Sequence, residues 1–272
     1  MIPNYRKYLE QVKNSQRTTS FTKSSTTTQA GRPYSLWLQT PNAGVAPTTA
    51  AVPDNTTAGA LTSNTAITGG KILRFLNTDI VSSATAVLFI LCDRLSHQGG
   101  LVCNSSGIIG QQTNLPTTPL TRYTTGVGVY AGLEFYGVAG GNTSTFIFKY
   151  TNEKGVAGRM TYPTQAGGSG FGTTNYRFII APLFQNDQGV RSVEEMQCSI
   201  STGDTGSCGV TLFKPLLFVP VFAPNFPSSI DAVLGAGSRF VQIQSTACLF
   251  WLAITYSTST GTVLGRLSFA ED

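Results

Sequence analysis

The stretch "CDRLSHQGG" (92–100) carries the chain's only histidine, His97, with Cys92, Asp93 and Ser96 close by. Nucleophilic chemistry at such a site needs a base within reach of a thiol or hydroxyl and an acid that orients the base. Here Asp93 and His97 follow an apolar run and precede Gly99-Gly100, so the spacing predicts a strand end and turn. His97 is then a structural hydrogen-bonding residue, and Asp93–Arg94 a brace for the turn. Paired carboxylates are equally poor in prospect. Glu134 falls within one predicted strand, and Glu194 and Glu195 are adjacent in another. Neighbouring strand residues point to opposite faces, which keeps apart the two groups that glycoside hydrolysis needs. "GGSGFG" (167–172) has the glycines of a phosphate loop but no Lys-Ser/Thr and no helix after it. It is expected to be a plain loop. Tyr123, Tyr130, Tyr136 and Tyr162 suit either a sugar-binding face or packing, with packing favoured. No catalytic, cofactor or metal residue is expected, and no enzyme.

The cysteines are Cys92, Cys103, Cys198, Cys208 and Cys248, an odd number without CxxC or zinc spacing. Cys92 and Cys248 lie in apolar runs and read as buried thiols. Cys198 with Cys208, or Cys92 with Cys103, could face each other across a turn as a disulfide. Asn55, Asn104 and Asn142 each open an N-x-S/T triplet. The first 20 residues show no apolar signal region, which predicts synthesis in the cytoplasm and no glycosylation there. The apolar runs 85–92 and 212–226 are too short or too proline-broken to cross a bilayer.

The elements that position these residues are strands. "STFIFKYTN" puts Phe146, Phe148 and Tyr150 on one face, and "GVGVYAGLEFYGV" does the same with Val127, Val129, Ala131, Leu133 and Phe135. That is period two, a half-buried strand. Further β-branched and aromatic runs follow at short spacing to the C-terminus, separated by Gly, Asn, Thr and Pro clusters. An all-β fold is expected: a jelly-roll-like β-sandwich body over 66–272, with an extended basic N-terminal arm over 1–65. Within the arm, Tyr5, Tyr8, Leu9 and Val12 form one apolar stripe that allows a short helix.

Charge supports the same division. Only 11% of residues are charged, against roughly 25% in an average globular protein, which suits a surface packed against copies or partners. The net +5 lies wholly in residues 1–32, where Arg6, Lys7, Lys13, Arg17, Lys23 and Arg32 face Glu10 alone. That density is low for packaging a genome and fits docking on a protein surface better. Tyr5, Arg6, Lys7, Tyr8, Arg17 and Trp37 are the expected docking residues, with the aromatics as anchors.

Four motifs are present between residues 91 and 216: D-R-L-x-H-x-x-G-L (93–101), L-x-R-Y-T-x-G-x-G-V (120–129), Y-T-N-x-x-G (150–155) and G-V-R-S-V (189–193). With them the chain resembles a family of tailed-bacteriophage virion proteins. None is a catalytic signature, so His97 reads as a scaffold residue. The resemblance implies a capsid cement or decoration protein on the outer shell of the virion. It also implies self-association as a homotrimer, the major capsid protein as partner, and no direct nucleic acid or membrane partner. In that role the arm crosses between capsid subunits, and deletion of residues 1–40 leaves a folded body that no longer coats capsids. The competing readings are a neck, tail, baseplate or adhesion component of the same virion, and a jelly-roll shell protein of a small virus. A glycan depolymerase is a third, for which the carboxylate pair is missing.

Overall fold

The computed structural model describes residues 5–61, 73–103, 110–113, 115, 120–168, 177–204, 206–232 and 241–271, with the side chains of 5, 7, 8, 11, 15 and 112 left out. These residues form a helix α1 (Tyr5–Ser15) and the strands β1 (Gln16–Lys23), β2 (Pro33–Ser35), β3 (Leu73–Ser82), β4 (Val87–Val102) and β5 (Gln111–Gln112). There follow β6 (Tyr130–Phe135), β7 (Thr145–Asn152), β8 (Arg159–Met160), β9 (Thr164–Gln165), β10 (Phe178–Ile180) and β11 (Val190–Cys198). The last are β12 (Ser207–Val221), β13 (Ser228–Asp231), β14 (Gln242–Ile243), β15 (Leu249–Thr255) and β16 (Val263–Glu271).

All named pairings are antiparallel, as the alternating sequences require. A central sheet runs β10-β6-β12-β4-β15-β2; a second runs β1-β16-β3-β13 with β14 also on β3; a third runs β5-β11-β7-β8 with β9 also on β7. The long strands β4 and β12 form the spine, paired from Ser207↔Val102 to Val221↔Val87. Near the Val102 end, Leu95, Val210 and Leu212 meet Phe146, Phe148 and Tyr150 of the third sheet. Near the Val87 end, Phe89, Leu91, Val219 and Trp251 meet Phe21, Phe75 and Leu267 of the second. The opposite face of the central sheet carries Ile90, Cys92, Phe213, Phe250 and Leu252, covered in part by Trp37. Strand β12 supplies even-numbered residues to the first core and odd-numbered ones to the second. A strict period of two forbids that switch. The register shift between Pro215 and Leu217 supplies it.

The all-β sandwich expected from the sequence is what forms, and the burial of β7 alternates as its residues do. The arm needs redrawing. Strand β1 pairs with β16 from Gln16↔Ala270 to Lys23↔Val263, and β2 pairs with β15. Residues 36–61 lie as a strap over the central sheet, held by reciprocal N–H···O bonds between Ala51 and His97 and by the Leu61 N–H to Leu249. The hydroxyl-rich segment 16–23 needs no core of its own, because an edge strand is satisfied by backbone pairing with one buried face. A boundary at residue 65 lies outside the described residues. What stands off the sandwich is α1, which leans on β16 and β1. Deleting residues 1–40 would therefore remove β1 and Trp37 from the body.

Stretch 92–100 is corrected as well. It is no turn but the middle of β4, whose residues from Phe89 to Gly99 are all buried. Gly99 is there because a Cβ would lie 1.7 Å from the Pro47 carbonyl oxygen of the strap, and Gly100 takes φ +72°.

Candidate functional site

The residues that could have done chemistry form one buried polar cluster. Asp93 receives Arg122 in a two-pronged pair, both N···O distances 3.0 Å, and the Cys248 N–H at 2.9 Å. Arg122 also donates to the carbonyls of Arg94 and of Pro53 in the strap. Arg94, fully buried, pairs with Glu134, donates from Nε to His97 Nδ1 at 2.7 Å, and lies 4.5 Å over the Trp37 ring. Glu134 accepts a second bond from Thr211 at 2.9 Å.

This arrangement works against catalysis. The histidine's ring partner is a cation rather than an acid, and Asp93 is spent on Arg122. Burial first, and the Arg94 charge second, push His97 down to about 3. Burial, with the neighbouring Asp93 charge, raises the Cys92 thiol well above its ordinary range, so it stays a thiol rather than a nucleophilic thiolate. Two motifs of the phage resemblance thus meet as one clamp, Asp93 and Arg94 from the first and Arg122 from the second.

The other two motifs meet where β11 pairs with β7, and the third motif also holds Asp187. Its carboxylate accepts from Tyr150 Oη (2.6 Å), Asn152 Nδ2 (2.8 Å) and Arg159 Nε (2.9 Å). Burial works to raise its pKa, but these donors outweigh that and hold it at about 2. Asn152 Oδ1 caps the turn through the N–H groups of Lys154 and Val156, while Val190 and Ser192 pair with β7. Glu194 accepts from Thr151 and Ser192, on a different sheet from Glu134. Among the described residues no group of three or more His, Cys, Asp or Glu is arranged to hold a metal ion. No helix among them is long and apolar enough to cross a membrane. Most of "GGSGFG" lies outside the described residues.

The expected docking residues divide. The side chains of Tyr5, Lys7 and Tyr8 lie outside the described residues. Arg6 is 90% exposed and bridges Glu10 at 3.6 Å on α1. Arg17 pairs with Glu271 across β1 and β16. Trp37 is 1% exposed, so this anchor is spent within the chain. Lys23 is buried too, donating to the carbonyls of Gln39 and Asn42, and burial lowers it to about 8.

Sequence reading missed where the exposed apolar surface lies. The run 212–226 is only half buried: Phe218, Phe222 and Phe226 are 54%, 81% and 69% exposed. Phe222 follows the last residue of β12, and Tyr256, 74% exposed, follows the last of β15. Both strands end against Val87, and the Asn225 N–H reaches Ser82 at the end of β3. The aromatics therefore gather at one end of the spine. Beside them the uncovered part of the central sheet forms an apolar groove of 380 Å³ lined by Ile90, Tyr130, Ile180, Phe213, Pro215 and Phe218. Pro220 and Pro224 in the run are the one sequence signal that it leaves the sheet.

No family profile matches the chain, and no curated protein sequence matches it. Among solved structures it is similar to infectious bursal disease virus Gt strain, at 11% identity and TM-score 0.18, over 94% of this chain and 80% of that one. It is similar likewise to the VP2 subviral particle of infectious bursal disease virus, at 10% identity and TM-score 0.17 over the same shares. The Gx strain of that virus gives 10% identity and TM-score 0.21. At these TM-scores the likenesses carry no argument about the fold or role of this chain.

Proposed function

We propose that the protein is a non-enzymatic structural component of a tailed-phage virion that decorates and stabilises the capsid. The observation that carries this reading is the opposite fate of the two kinds of side chain. The ionisable residues of the first two motifs are buried and paired, whereas Phe222, Tyr256 and Phe226, three of the most exposed large apolar side chains among the described residues, lie toward one end of the spine. Contiguous exposed aromatics mark association surfaces. Decoration then works mechanically: each copy buries apolar area between capsid subunits at about 25 cal/mol per Å². Helix α1, with Arg6 and Lys13 exposed, supplies the charged part of the docking. The partners on this reading are the major capsid protein and further copies of the chain, as a homotrimer on the outer capsid surface.

A second reading, a neck, tail or baseplate component, is favoured by the exposed pair Tyr162 and Phe184. These stack at 5.9 Å with planes 9° apart and have the form of a sugar platform. Cryo-electron microscopy of virions separates the two. Density at every local threefold of the outer capsid is the expected result. Density confined to the neck or tail would replace decoration with the second reading.

A further inference from the structure

Three of the five cysteines meet where the central and third sheets join. Cys103 directly follows β4, Cys198 ends β11, and Cys208 is the second residue of β12. Cys103 Sγ lies 3.3 Å from Cys198 Sγ and 3.5 Å from Cys208 Sγ. All three are at most 1% exposed and belong to the same core. Backbone bonds fix the meeting point. The Cys103 N–H donates to the Gly206 carbonyl, and the Cys103 carbonyl accepts from both the N–H and the hydroxyl of Thr202. Neither pairing suggested by sequence spacing is the one at contact distance. Cys92 and Cys248 belong to the core on the opposite face of the central sheet.

We propose that this cluster is a redox modification site in which Cys103 is oxidised to a disulfide with Cys198, with Cys208 the thiol that can exchange into the bond. The Cys103–Cys198 bond would join the central sheet to the third sheet covalently; a Cys103–Cys208 bond would stay within the central sheet. The oxidant is a small-molecule disulfide. One protein thiolate attacks it, displaces one small thiol and forms a mixed disulfide. The second protein thiolate then attacks the protein sulfur and displaces the other small thiol. Two S–H bonds are lost, one S–S bond forms, and the two electrons and two protons leave with the oxidant's thiols. Its hydrogen bond to Cys103 and burial both raise the Cys198 thiol far above its ordinary range. The folded chain therefore oxidises only through local opening or while it folds. The bond spans a sequence separation of 95 residues, a long loop whose closure restricts the unfolded chain. Reducing conditions keep the cluster as thiols. The inference does not depend on the virion role.

The test is to refold the full chain in a buffer of reduced and oxidised glutathione, alkylate it, and map it by mass spectrometry without reduction. The expected product keeps three of its five cysteines alkylatable and yields a peptide pair joining Cys103 to Cys198. Its thermal midpoint is higher, and reductant reverses the rise. Cys198→Ala moves the bond to Cys103–Cys208, and Cys92→Ala leaves the map unchanged. A folded product with all five thiols alkylated, or a cross-link that lacks Cys103, overturns the proposal. The wild-type map decides even if a variant fails to fold.

Discussion

Arg122 pairs with Asp93, and Asp93 in turn holds the backbone just before β15 through the Cys248 N–H. Removing the cation leaves a carboxylate fully buried with one neutral donor. Breaking one side of a buried pair costs about 3–5 kcal/mol. Arg122→Ala is therefore expected to lose stability on that scale in urea titration, and Asp93→Asn in the same background to recover part of it. His97 adds a pH dependence whose sign follows from its depressed value. The unfolded chain binds a proton near the ordinary 6.5, and the folded chain not until about 3. Between those values the unfolded state holds more protons, so stability falls as pH drops from 6.5 toward 3. The slope from this group is at most about 1.4 kcal/mol per pH unit. His97→Gln flattens that part of the profile while leaving the region above pH 7 unchanged. A profile identical to the wild type below pH 6 would mean that His97 is already charged in the folded chain.

At the scale of elements, Gly99 tests whether the strap is part of the sandwich. Its missing Cβ is what lets the Pro47 carbonyl approach β4. Gly99→Ala must push the strap outward, and overpacking of this kind costs about 1–3 kcal/mol. Stability is expected to drop by that amount, with limited proteolysis newly cutting within residues 43–57. Strand β7 was legible because burial on one face writes period two into the sequence. Strand β4 was not legible as one element. Its Asp93-Arg94 and His97 look like a surface turn, and only Arg122, Glu134 and Trp37, distant in sequence, make them core residues. The strap was misjudged for a related reason. It contributes few apolar residues, and what fixes it is backbone pairing with His97 and Leu249, which leaves no periodicity to read. The triad of Cys103, Cys198 and Cys208 was hidden because it joins two sheets. Spacing along the chain reports only the turns it brackets.

For the whole molecule, the proposed decoration role leaves two candidate docking surfaces, and they differ in physics. Helix α1 carries exposed basic residues, so binding through it weakens as salt screens charges beyond about 10 Å at 0.1 M. The aromatic end, with Phe222, Phe226 and Tyr256, is uncharged; binding through it is indifferent to salt or strengthened by it. Residues 1–15 precede β1, so deleting them leaves every sheet pairing intact and is expected to leave the thermal midpoint nearly unchanged. Deletion of 1–40 removes β1, Phe21 and Trp37 and is expected to destabilise the body severely, because it opens two cores at once. The comparison that separates the surfaces uses undecorated capsids, the chain lacking 1–15, and the double variant Phe222→Ser with Phe226→Ser. Both side chains are more than two-thirds exposed, so the double variant is expected to fold. If the aromatic end carries the affinity, the double variant loses most of its binding at all salt concentrations, and the truncation loses only the salt-sensitive part. If the truncation alone abolishes binding, docking belongs to α1, and the aromatic end is left for contacts between copies.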